Sequence, residues 1–142
     1  MSYFPDDMPL PLTEAPPNDG FWEHAKKHEL VVQKCSECGT YTHPPELICP
    51  ECHSFDYEWE KVSGKGTVYT YMITHHPPMP SLKDKVPFNS VIVELEDADN
   101  IRMIGNVVDG TPNEDIHIGM PVEVIFEDVA DDVSLPQWKK RA

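Results

Sequence analysis

Apolar residues in this chain come in short runs separated by glycine, proline, asparagine and aspartate, and from residue 67 onward the pattern is all-β. Residues 67–74 (Thr-Val-Tyr-Thr-Tyr-Met-Ile-Thr) are rich in β-branched and aromatic side chains, which suit a pleated, half-buried strand. Residues 90–95, 101–108 and 122–126 are three more strand-like runs. Between the first two lies a proline-stiffened loop, residues 75–82, that carries His75 and His76. Residues 97–100 (Asp-Ala-Asp-Asn) read as a hairpin turn and residues 118–121 as a turn into the next strand. Four or five short strands, with no room for helical crossovers, fit a small barrel such as the OB-fold.

Upstream the spacing changes. Residues 29–34 (Glu-Leu-Val-Val-Gln-Lys) form a short strand, and residues 40–43 and 56–61 two others, with Tyr57 and Trp59 alternating onto one face. Before them, residues 18–28 read as a helix capped by Asn18 or Asp19, with Lys26 and Lys27 near its C-terminal end. Phe21, Trp22 and Ala25 share a face that packs on the strands more readily than it forms a binding box. Residues 1–17 hold Pro5, Pro9, Pro11, Pro16 and Pro17 and read as an extended arm that becomes ordered on a partner. The glycine-rich stretch 61–66 marks a boundary. The expected organisation is therefore an arm (1–17), a helix with a ribbon (18–62) and a barrel (63–142), mainly β overall.

Chemistry enters with the cysteines. Cys35 and Cys38, then Cys49 and Cys52, make two C-x-x-C pairs separated by ten residues, and the chain has no other cysteine. Thiolates at i and i+3 on tight turns can point at one centre, the arrangement of a tetrahedral zinc site. Gly39 follows the first pair, where a knuckle often needs a positive φ, and His53 takes the matching place after the second. Two disulfides would require an oxidising compartment, and no apolar leader argues for one. A thioredoxin-like motif would be single and set in a βαβ unit. Iron uses the same four ligands and stays open beside zinc. Four protein ligands leave no position for substrate water, so the metal holds the fold and does not catalyse.

Charge narrows the partners. The formal net charge is -14, from 11 Lys+Arg against 25 Asp+Glu. Such a field repels phosphate backbones, which argues against the nucleic-acid role many zinc ribbons play. No apolar run approaches the roughly 20 residues that cross a membrane. With neither span nor leader, the expected location is the cytoplasm.

Several segments, taken in order, resemble a known family. They are residues 20–23 (Gly-Phe-Trp-Glu), 30–39 (Leu-Val-Val-Gln-Lys-Cys-Ser-Glu-Cys-Gly), Pro44 and Pro45, 49–52 (Cys-Pro-Glu-Cys), Glu58 and Trp59, and 63–69 (Ser-Gly-Lys-Gly-Thr-Val-Tyr). The series continues through 118–122 (Ile-Gly-Met-Pro-Val) and 126–129 (Phe-Glu-Asp-Val) to 135–138 (Leu-Pro-Gln-Trp). The chain is similar to two-module proteins that join a rubredoxin-like zinc ribbon to an OB-fold and associate with acyl-CoA enzymes. The resemblance implies an accessory role beside a thiolase-fold enzyme, or beside an aldolase or hydratase that handles acyl-CoA thioesters. His53 departs from the small residue often found at its position.

No catalytic constellation emerges. Thiolysis needs an activated cysteine, and all four cysteines here are better used as ligands, so the nucleophile must come from another chain. The expected function is thus a non-catalytic subunit that helps assemble the complex and shape a CoA-ester site, most simply with a thiolase-fold partner acting on a β-ketoacyl-CoA. A zinc-ribbon/OB nucleic-acid binder is the alternative of another class. The anionic end of CoA would need a local positive patch, for which Lys61, Lys65 and Arg102 are the candidates. Ordinary solvated cations are the plainer reading of each. His75 and His76 fit a solvated or docking loop better than acid–base chemistry, and Met79, Pro80 and Leu82 favour docking. Leu135, Pro136 and Trp138 either pin the C-terminal tail or meet a partner.

Overall fold

The structure is a computed structural model describing residues 3–99 and 101–142. Met1 and Ser2 of the expected arm, and Asn100 of the expected turn, lie outside the described residues. Among the described residues the chain forms one α-helix, α1 (Asn18–Lys26), then a ribbon of β1 (Val31–Cys35), β2 (Tyr41–Thr42) and β3 (Tyr57–Lys61). Five strands follow: β4 (Lys65–Thr74), β5 (Phe88–Leu95), β6 (Arg102–Gly105), β7 (Pro121–Ala130) and β8 (Val133–Lys140). The ribbon sheet has the order β2-β1-β3, and the second sheet the order β6-β5-β4-β7-β8. Its end strands approach through a single parallel bridge, Val107 to Trp138, giving a nearly closed OB-like barrel.

Alternation builds the barrel core. Along β5, Val91, Val93 and Leu95 are buried while Ile92 and Glu94 face outward, the period of a strand with one wet face. Ribbon and barrel share their interior: Phe21, Leu30, Val31, Val32 and Val62 join Val68, Met120, Val122 and Trp138 in one cluster. The two modules are therefore fused by packing. Gly20 sits so close beneath Trp59 that a Cβ there would lie 2.2 Å from the indole nitrogen. That glycine sets how near α1 comes to the ribbon.

Several sequence readings shift. The helix begins on Pro17 with no side-chain cap, and Asp19 instead accepts a hydrogen bond from the Gly20 N–H at 3.0 Å. It ends at Lys26, and His28, at φ 60, turns the chain toward β1. The arm lies on this chain's own barrel. The Asn89 backbone N–H and Nδ2 donate to the Tyr3 hydroxyl at 3.1 and 2.9 Å, and the Tyr3 N–H donates to Glu127 at 2.8 Å. Leu82 points inward at 2% exposure and is not free to dock. The tail is the fifth barrel strand, with Trp138 fully buried.

Candidate functional site

Two knuckles shape the cysteine centre. In the first, the Gly39 N–H donates to the Cys35 carbonyl at 3.0 Å and the Cys35 N–H to the Thr40 carbonyl at 2.9 Å. In the second, the His53 N–H donates to the Cys49 carbonyl at 3.0 Å and the Cys49 N–H to the Ser54 carbonyl at 2.9 Å. The turns are the same in kind, and His53 takes φ 63 where Gly39 takes φ 77. The histidine therefore keeps the knuckle geometry, at the cost of a left-handed backbone that glycine adopts freely. Gln33, buried on β1, pins the loop between the knuckles: its Nε2 donates to the Glu46 carbonyl at 2.7 Å and its Oε1 accepts the Glu46 N–H at 2.8 Å.

All four sulfurs lie within 4.8 Å of one another. Cys35 Sγ is 3.5 Å from Cys52 Sγ, and Cys38 Sγ is 3.6 Å from Cys49 Sγ. Zinc–sulfur bonds of ~2.3 Å in a tetrahedron place sulfurs about 3.8 Å apart, so the donor set fits a four-thiolate ion. The electrostatics agree. The Thr40 hydroxyl and N–H push the Cys38 thiol down to about 6. The Ser54 N–H favours a thiolate at Cys52, yet the surrounding thiols push it up to about 12. Without a cation the four sulfurs cannot all ionise together; a divalent cation removes that conflict.

The candidate cations sit elsewhere. Lys61 lies 3.5 Å from Glu29, and Arg102 lies 3.3 Å from Glu94 with its guanidinium 3.8 Å from the Tyr69 ring centre. Lys65 pairs in register with Glu123 across β4 and β7. Lys65 and Arg102 occupy the same end of the sheet, because Gly66 is paired with Leu95 and Arg102 with Glu94. His75 and His76 follow β4 on an exposed loop.

Sequence reasoning missed a second feature. A cavity of about 590 Å³ opens between β6 and β8, roofed by α1 and the His43-Pro44-Pro45 turn. Its walls include Phe21, Trp22, Ile104, Leu135 and Pro136 and carry no charged side chain. His43 Nδ1 and Trp138 Nε1, both in that wall, are the buried side-chain polar atoms left without a partner among the described residues. Burial pushes His43 down to about 4, which keeps its imidazole neutral. The signal available in the sequence was weak: Trp22, the Pro44-Pro45 pair and Trp138 lie far apart along the chain and meet only in the fold.

Comparison with known proteins follows the same two-part division. The rubredoxin-like zinc ribbon domain of ChsH2 matches residues 22–58, and the C-terminal OB-fold domain of ChsH2 matches residues 59–127. A "DUF35 domain-containing scaffold protein" of Methanocaldococcus jannaschii is 39% identical over 113 residues, covering 78% of this chain and 77% of that protein. The chain belongs to the ChsH2/DUF35 family. In this family member the ribbon is the zinc-binding module and the barrel the OB-fold. A solved structure described as "Ltp2-ChsH2(DUF35) aldolase" matches with TM-score 0.80 and 35% identity, over 92% of this chain and 98% of that chain. The "Probable enoyl-CoA hydratase alpha subunit" of Thermomonospora curvata is 37% identical over 123 residues. The present chain covers 37% of that relative's length and 86% of its own. Among the described residues no helix is long and apolar enough to cross a membrane.

Proposed function

We propose that this chain is a non-catalytic scaffold subunit of an acyl-CoA-metabolising complex, seated beside an aldolase- or hydratase-type catalytic chain. The observation that carries the reading is the match, over nearly the whole of both chains, to the solved structure described as an aldolase with ChsH2. The chemistry is compatible. Every thiol belongs to the four-sulfur centre, so the chain has no free cysteine for acyl transfer. Zinc at that centre would join β1, the two knuckles and the loop tied by Gln33, and its closed ligand set leaves substrate no place on the metal.

A second reading makes the partner a thiolase-fold chain acting on a β-ketoacyl-CoA; in either case Lys61, Lys65 and Arg102 would lend positive charge to the nucleotide end of the thioester. Assay of the purified chain alone against acetoacetyl-CoA and an enoyl-CoA tests the scaffold reading. No turnover is expected, and turnover by the isolated chain would overturn it. Lys65→Ala with Arg102→Ala in the complex tests the role of the cations: CoA-ester affinity should fall, and unchanged affinity returns both to ordinary surface cations.

A further inference from the structure

The seam between β6 and β8 has a cause in the sequence. The Trp138 N–H donates to the Asn106 carbonyl at 3.0 Å and the Val108 N–H to the Trp138 carbonyl at 2.9 Å, so the two strands start as a parallel ladder. Two residues back, the next donor in that ladder would be the backbone nitrogen of position 136, which is proline. Pro136 has no N–H, and the ladder stops. Asn106 takes a side-chain partner instead, its N–H donating to Gln137 Oε1 at 2.7 Å.

The arrest leaves one strand edge open. The Leu95 N–H donates to the Ile101 carbonyl, which fixes the alternation between β5 and β6. Met103 and Gly105 then turn their backbone groups to β5, and Ile104 turns its N–H and carbonyl into the seam. Among the described residues no strand pairs with Ile104 there, and the wall around it is mostly apolar and carries no charged side chain. Beside it, Gly105 lets the strand pass close over the buried Trp138 indole: a Cβ there would lie 2.6 Å from the indole nitrogen. A donor and an acceptor in strand spacing match an extended backbone. An apolar small molecule would leave Ile104 unsatisfied.

We infer that this seam is a strand-addition site, which takes an extended, uncharged apolar segment of another protein chain hydrogen-bonded to Ile104. The inference goes beyond the scaffold reading and does not depend on which enzyme is the partner. The absence of charge in the wall selects against acidic or basic segments, because a charge buried there would find no counter-ion. Pro136 restricts the incoming strand to the β6 edge, since the facing position on β8 offers only an acceptor.

The test uses the full-length, zinc-loaded, 15N-labelled chain and a capped pentapeptide of alternating valine and threonine. Peptide binding should slow amide exchange at Ile104 several-fold and move the Trp138 indole resonance, while Met103 and Gly105 stay as they were. The same peptide N-methylated at the amides facing β6 should lose the effect. Ile104→Pro should also abolish binding with the fold retained, because the N–H it removes points away from β5. Equal protection by the N-methylated peptide, or none at the peptide's solubility limit, overturns the inference. So does concentration-dependent protection of Ile104 without peptide, which would make a second copy the occupant. An indole shift with 2-undecanone but not with peptide would make it a small-molecule pocket.

Discussion

Gly20→Ala should destabilise this protein, although alanine is the better helix former. In a helix interior the substitution would gain about 1 kcal/mol. Here the added Cβ would stand 2.2, 2.4 and 2.7 Å from three atoms of the Trp59 indole. A ring held against the shared core, packed edge-to-face with Tyr57 at 5.6 Å, cannot swing aside as a lysine tip could. Overpacking of this kind costs roughly 1–3 kcal/mol, which less the helix gain leaves a net loss of about 1 kcal/mol, up to about 2. Urea unfolding with zinc held constant measures it, with an unchanged slope expected because the surface exposed on unfolding is the same. The decisive version is a double-mutant cycle. In a Trp59→Ala background the clash is gone and Gly20→Ala should stabilise by about 0.5–1 kcal/mol, a coupling near 2 kcal/mol. Stabilisation of equal size in both backgrounds would refute the close approach of α1 to the ribbon.

Three further outcomes follow from the same structure. Cys35→Ser should release the metal and unfold the ribbon, because structural zinc supplies roughly 10–16 kcal/mol in small zinc domains; a full metal equivalent retained by the variant would sink the four-thiolate centre. His43 is held near 4 by burial, against 6.5 unfolded, so the unfolded chain binds the extra proton between those values. Its contribution is whole above about pH 6.5 and fades as pH falls toward 4, a loss of about 2 kcal/mol by pH 5 that His43→Leu should not show. At the second knuckle, His53→Gly should be neutral or stabilising by up to about 1 kcal/mol, whereas His53→Val, β-branched at positive φ, should cost about 2 kcal/mol; equal stabilities would contradict the left-handed turn.

The parts of the fold that were legible are those where one local rule decides. The cysteine spacing names its own geometry, and the alternation in residues 90–95 exposes β5 in the sequence. The eighth strand was hidden by Pro136 and by Lys139 and Lys140, which read as a tail. It forms because the nitrogen of Pro136 points away from β7 into the seam, where no hydrogen bond is lost to that neighbour. The arm was equally opaque: only the fold brings Tyr3 to Asn89, 86 residues away. The helix start was obscured because Asn18 and Asp19 look like caps, whereas Pro17 takes the N-cap position and both lie inside the first turn. Cation placement was the least legible part, since an exposed lysine's neighbours depend on strand register and nothing local encodes it.

The central claim is that this chain works as a scaffold beside a catalytic acyl-CoA subunit. Gentle purification of the tagged protein from its native host, with mass spectrometry of what accompanies it, tests that most directly. A stoichiometric aldolase- or hydratase-type chain, or a thiolase-fold chain, is the result expected. A clean monomer, or one carrying only nucleic acid, would contradict it.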